Sequence, residues 1–208
     1  KWFTNDVRLV AWNLDGTVKS GTLNPTLGTN DNIAPFNAVY TKAVPTVNAP
    51  LPFAFAASAH WVNGKNDYMA VFGGLNAASG TRSKSLKVLR VSDLNVFDWL
   101  PVVWAPNGFN GGSFEDLPAI SNAAGYMDGT NFHVVGGCIG ITTECEYNNM
   151  KTIVFDLSDL AAVTAKTVAP QGAYPRGLYG HAAVFHQRPG KAARRRAVIF
   201  GEQRSEER

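Results

Sequence analysis

The sequence predicts an all-β protein, a β-propeller portion of about three four-stranded antiparallel blades, and three observations predict it. The chain repeats itself: YMAVFGG at Tyr68–Gly74 returns as NFHVVGG at Asn131–Gly137 and, in part, as RAVIFGE at Arg196–Glu202. The first glycines of these copies, Gly73, Gly136 and Gly201, stand 63 and 65 positions apart, a period long for a helical solenoid and suited to four strands with their turns. Composition points the same way, with 45% hydrophobic but only 17% charged residues, 20 Gly and 11 Pro, the balance of a strand-and-turn protein. Finally, apolar and polar residues alternate over short runs bounded by Gly, Asn and Asp, which is the period of half-buried strands.

Taken in order, DVRLVAWNL at Asp6–Leu14 alternates, and Asp15-Gly16 turns it back into TVKSGTL, a predicted hairpin. Between Asn24 and Pro52 stand Pro25, Pro35, Pro45, Pro50 and Pro52. Proline removes a ladder donor, so this region reads as a long connection with one edge strand at Phe36–Tyr40. The first strand of a blade, PFAFAASAHWV from Pro52, then meets a turn at Asn63–Asp67 with Asn-Gly at its tip and leaves through YMAVFGG. The loop Leu75–Ser83 leads to a third strand, Ser85–Asp93, and a fourth, Val96–Trp104. The same order recurs as a first strand Leu117–Tyr126, a turn beginning at Met127, NFHVVGG, a third strand Lys151–Leu157 and a fourth Val163–Val168. Another first strand from Tyr179 and second strand Arg196–Glu202 follow.

The two apolar strands ending in double glycine, the Asp-Leu pairs Asp93-Leu94 and Asp156-Leu157, Trp99 six positions after Asp93, and the Pro175–His181 approach to a first strand together resemble the kelch repeat. Ala162 in place of a Trp, and Gly201-Glu202 in place of a double Gly, depart from it. The resemblance implies kelch-like blades over 52–104 and 105–170, N-terminal outer strands with a Pro-rich connection over 1–51, and the inner strands of a partial blade over 171–208. The paired glycines are expected to take positive φ and to admit a neighbouring backbone where a Cβ would clash. Three blades fall short of the four to eight that close a ring, so the chain is expected to be part of a longer polypeptide or to be completed by another chain.

Charge and motifs narrow the functional classes. The formal net charge is +3, with five positive charges gathered in RPGKAARRR at Arg188–Arg196. One short basic loop offers few counterions to displace, so no nucleic-acid partner is expected. No apolar run approaches the roughly 20 residues of a membrane span. The chain opens at Lys1 with no signal-peptide pattern and reads as a mature or trimmed chain. Cys138 and Cys145 flank a short polar loop, a spacing that suits a disulfide and an extracellular or secretory-pathway residence; two free thiols in the cytoplasm are the alternative. The absence of an Asn-x-Ser/Thr acceptor with a permitted middle residue weighs slightly against secretion.

No cofactor, metal site or catalytic residue is predicted. The glycines fit no phosphate-cradling spacing, and Glu115-Asp116 reads as a solvated loop pair. His60, His133, His181 and His186 are spread over three repeats, His60 and His181 at equivalent first-strand positions. The leading functional reading is a protein-interaction or structural module that recognises a protein partner, or another chain completing the propeller, through inter-strand loops. Loops 75–82, 107–116, 139–149 and 171–179 carry the candidate contacts Arg82, Glu144, Tyr147, Arg176 and Tyr179. A propeller enzyme, resembling copper-radical oxidases or sugar-processing enzymes, is the alternative. An oxidase needs a Tyr–Cys crosslink that a Cys138–Cys145 bridge would preclude.

Overall fold

The computed structural model describes residues 7–10, 41–44, 46–47, 53–76, 79–93, 96–140, 147–148, 151–169, 180–187 and 195–200, and side chains within 54–76, 79–90, 98–140, 151–169 and 180–183. Strands β1 (Val7–Val10) and β2 (Thr41–Val44) pair antiparallel, and β3 (Thr46–Val47) follows. Blade one comprises β4 (Phe53–Ala54), β5 (Ala57–Asn63), β6 (Asn66–Phe72), β7 (Leu75–Asn76), β8 (Leu86–Asp93) and β9 (Val96–Leu100). Blade two comprises β10 (Trp104–Phe109), β11 (Ile120–Ser121), β12 (Ala124–Asp128), β13 (Asn131–Val135), β14 (Cys138–Ile139), β15 (Tyr147–Asn148), β16 (Thr152–Asp156) and β17 (Val163–Val168). The hairpin of β18 (Ala182–Gln187) and β19 (Arg195–Phe200) begins a third. The fold is all-β; one 3-10 turn, Phe114–Asp116, is the helical element among the described residues.

The two main sheets share one plan. The order is β5-β6-β8-β9 in one and β12-β13-β16-β17 in the other, antiparallel throughout, and each carries a fifth strand paired parallel at its outer edge, β3 on β9 and β10 on β17. The fifth strand has no counterpart in the sequence expectation. It arises because the segment leading into a blade first runs along that blade's outermost strand and covers its edge.

Several boundaries differ from the sequence expectation for identifiable reasons. The fourth strand of blade one stops at Leu100 rather than Trp104, because Pro101 has no N–H to continue the ladder, and Trp104 opens β10 in the next sheet. The first strand of blade two begins at Ala124 rather than Leu117: Leu117 closes the 3-10 turn by donating to the Phe114 carbonyl, and Asn122 takes a left-handed φ of 56°. The tip of the β5–β6 hairpin is Gly64-Lys65, with Asn63 paired to Asn66, so the turn places Gly first rather than Asn-Gly. Gly129-Thr130 does the same between β12 and β13, each turn having positive φ only at its glycine as a type II′ hairpin requires. The described partner of β1 is β2, whereas the expected partner within 17–23 and the expected edge strand Phe36–Tyr40 lie outside the described residues.

Blades one and two pack face to face around a shared aromatic core. Phe155 of β16 is buried, with its ring centroid 4.7 Å from Phe72 of β6, 5.8 Å from Phe132 and 6.0 Å from Trp104. Trp104 in turn stacks on Phe114 at 4.4 Å. These rings, with Ala57, Ala70, Val88, Val134, Ile153 and Val163, form one apolar cluster spanning both sheets. The innermost strands lie side by side in the order β5, β12, β18, the succession of blades about an axis.

Candidate functional site

The repeat converges where each inner strand begins. By register, Ala57, Ala124 and Ala182 are equivalent, each opposite the last residue before the repeat glycine. Two positions earlier stand Phe55, Asn122 and Gly180, and all three are left-handed, with φ of 58°, 56° and 66°. The Asn122 N–H donates to the Phe55 carbonyl at 2.7 Å, and the Gly180 N–H to the Asn122 carbonyl at 2.8 Å. A chain of backbone hydrogen bonds thus steps from blade to blade, each left-handed residue turning its amide toward the preceding copy. Gly and Asn suit this conformation; Phe55, 58% exposed, does not.

The paired glycines hold the same end together. Gly74 and Gly137 have φ of 89° and 90°, and a Cβ on either would lie 2.6 Å from Ala54 O or the Ile120 side chain. Their N–H and C=O groups serve the crossing: Gly74 donates to the Ile120 carbonyl at 2.8 Å, Ser83 donates to the Gly74 carbonyl at 2.8 Å, and Ile120 donates to the Ser83 carbonyl at 3.2 Å. Beyond the glycines the chain forms the short ladders β4–β7 and β11–β14–β15. The loops 75–82 and 139–149 therefore depart from the end of the blades at which the inner strands start, which is called the entry end below.

Arg82 is the polar hub of this end. It pairs across from Leu75 and is only 8% exposed. Its Nε donates to Ser121 Oγ at 3.0 Å and its Nη1 to the Gly140 carbonyl at 3.2 Å, so the guanidinium of a blade-one loop is seated between two blade-two segments. Ser121 Oγ also accepts from Asn122 Nδ2 at 3.4 Å. A buried cation needs such acceptors, since desolvation otherwise disfavours it. Beside it, Lys84 donates to the Glu115 carboxylate and, at 3.0 Å, to the Glu115 carbonyl, and lies 5.2 Å from the Phe114 ring centroid. Ser113 caps the turn that presents Glu115, whose N–H donates to Ser113 Oγ at 3.1 Å.

Of the residues singled out in the sequence, Arg82 is thus found at the entry end, buried rather than presented on a loop surface. Tyr147 lies in β15 opposite Ile139. Glu144, Arg176 and Tyr179 fall outside the described residues. Cys138 is buried in β14, opposite Ser121 of β11, and Cys145 lies outside the described residues. Ser121, Asn122 and Phe55 escaped the sequence reading; the signal available was the small-residue pair that follows each left-handed position, Ala56-Ala57 and Ala123-Ala124.

The histidines occupy different environments. His60 is the fourth residue of β5, exposed, with Nε2 2.7 Å from Asp67 Oδ1, whereas His181 directly precedes Ala182 and is buried. The two are therefore not equivalent: the counterpart of His181 in blade one is Ala56. Burial holds the His181 imidazole below its ordinary pKa, opposed by the backbone of Val135. His133 stacks on Tyr126 with ring centroids 4.5 Å apart. Its burial likewise lowers its pKa, with Asp128 opposing and Lys166 reinforcing the shift. Burial, then Asp128, raises the Tyr126 phenol. No cluster of three or more His, Cys, Asp or Glu able to hold a metal occurs among the described residues, and none of their helices is long and apolar enough to cross a membrane.

No family model and no curated protein matches the chain. Among solved structures it is similar to that of YjhT, at 14% sequence identity and a TM-score of 0.43. The alignment covers 69% of this chain and 43% of that one, so the chain spans less than half the length of that structure.

Proposed function

We propose that the chain is a kelch-like portion of a β-propeller, blades 52–104 and 105–170 among its parts, that acts as a protein-interaction or structural module through its entry end. The observation that carries this reading is the chain of bonds Phe55–Asn122–Gly180. It fixes three successive blade entries in one frame, from which loops 75–82 and 139–149 project. A frame held by main-chain bonds and a buried arginine gives loops a defined geometry with little entropy to lose on binding. An aromatic ring that remains exposed beside it, Phe55, suits a protein partner, since aromatic side chains anchor many interfaces.

In this reading Arg82 seats the loops, while Glu144, Tyr147, Arg176 and Tyr179 supply contacts. Cys138 and Cys145 form a disulfide that ties loop 139–149, in keeping with extracellular or secretory-pathway residence. The buried position of Cys138 and the absence of a free cysteine among the described residues support the bridge.

Site-specific photocrosslinking tests the proposal: a crosslinking residue at Ser79 or Phe55 should trap a discrete protein partner that the same residue at Lys65, in a hairpin tip at the far end of blade one, does not. Equal labelling from both ends would overturn the reading, as would copper or another metal bound at one equivalent per chain. For the bridge, alkylation under native oxidising conditions should leave both cysteines unmodified until a reductant is added.

A further inference from the structure

The outward faces of the two complete blades are covered in opposite halves. On the face of blade one turned away from blade two, register aligns Ser58, His60 and Val62 of β5 with Val71, Leu89 and Trp99 of the strands beyond. Val71, Leu89 and Trp99 are buried, whereas Ser58, His60 and Val62 are exposed, Val62 at 61%. The inner strand is open and the outer part is closed. On the face of blade two turned away from blade one, the pattern is reversed. Ala124 and Val135 are buried beside β18, whereas Thr164, Lys166 and Val168 of the outer strand β17 are exposed, Val168 at 41%.

The unfinished ladders match these halves. β18–β19 has the register of the two inner strands of a blade, because Ala182 opposes Phe200 just before Gly201 as Ala57 opposes Phe72 before Gly73. β1–β2 is a second two-stranded ladder, and among the described residues the two ladders do not pair with each other. The bond chain is also open at both ends: among the described residues no acceptor is recorded for the Phe55 N–H and no donor for the Gly180 carbonyl.

We propose that the occupant of both open halves is a second copy of this chain, docked head to tail. The inner hairpin β18–β19 of each copy lies against the open β5 of the other and joins its β1–β2 ladder in one four-stranded blade. The Phe55 amide of each copy meets the Gly180 carbonyl of the other. Each chain then brings two blades of its own and shares two composite ones, a ring of six, within the range in which propellers close. The interface is of the interlocking kind in which each copy uses two different surfaces, and it closes because two steps complete the turn. The proposal rests on the propeller reading above and adds the identity of the closing partner.

The test is light scattering of the purified chain, wild type and with a charge placed on either open half, Val62→Arg or Val168→Arg. Both valines are exposed, so each variant should keep its strand signal in circular dichroism. Wild type is expected at twice the single-chain mass and each variant mostly at the single-chain mass. An equimolar mixture of the variants should regain the double mass, because one of its two junctions then has both wild-type surfaces. A wild-type chain that stays single with an intact strand signal would overturn the second-copy proposal and leave the blade reading standing. Loss of amide protection along the β5–β6 and β12–β13 pairings in hydrogen exchange would overturn both. Variants that remain fully double, or a mixture that stays single, would place the contact elsewhere and also overturn it.

Discussion

Phe55 holds a backbone conformation that its side chain opposes, while the equivalent Asn122 and Gly180 hold it at little strain. A bulky residue in this region costs roughly 1–2 kcal/mol. Phe55→Asn should therefore raise stability by about 1 kcal/mol, read as a higher urea midpoint at unchanged slope. Ser121→Ala acts in the opposite sense. It removes an acceptor from the buried Arg82 guanidinium, and loss of a hydrogen bond to a charged group costs about 2 kcal/mol. Acid should weaken the fold through His133 and His181, both held below the model value of 6.5 chiefly by burial. The unfolded chain then binds protons that the folded chain refuses. Stability is complete above pH 6.5 and falls as pH drops from there toward the lowered folded values. Urea midpoints measured from pH 7.5 down to pH 5 should show this decline, and His181→Phe should flatten it.

At the scale of elements, two kinds of glycine turn the chain, and they separate experimentally. Gly64 and Gly129 sit at hairpin tips with no heavy atom within 4 Å of a built Cβ, so alanine there meets only the strain of positive φ. Gly74 and Gly137 carry that strain and also abut neighbouring segments at 2.6 Å. Gly129→Ala should thus cost about 1 kcal/mol, and Gly137→Ala about 3 kcal/mol once overpacking is added, a difference that thermal melts of the two variants would resolve. The distinction also marks what the sequence makes visible. The double glycines and the alternation of YMAVFGG and NFHVVGG gave the second strands and the order of four strands per blade, because period two and positive φ are local properties. The third strands and Val163–Val168 were legible for the same reason. The parallel outer strands β3 and β10 were not, because Thr46–Val47 and Trp104–Phe109 carry no pattern of their own and are strands only through partners in β9 and β17. The entry site was hidden likewise: Phe55, Asn122 and Gly180 share a backbone angle but no side-chain chemistry, and Arg82 read as a loop cation until Ser121 and the Gly140 carbonyl were seen to enclose it.

For the molecule as a whole, the shared core makes blades one and two one cooperative unit. Phe155 touches Phe72, Phe132 and Trp104, which come from strands of both sheets. Phe155→Ala should cost about 3–5 kcal/mol and loosen one blade from the other, so the single transition expected of the wild type in calorimetry should broaden or split. The outer strand β10 has a consequence for how such a unit is made. On the ribosome, β10 emerges ahead of every other strand of its sheet, yet its partner Val163 in β17 is synthesised last of the five. Blade two cannot close its edge until nearly all of it has been translated, and the nascent segment must wait with its main-chain groups unpaired. Pairings of such long range are slow to form, and half-made sheets with open edges are the species that aggregate. The strand that guards the finished blade is thereby the one most in need of a chaperone during synthesis.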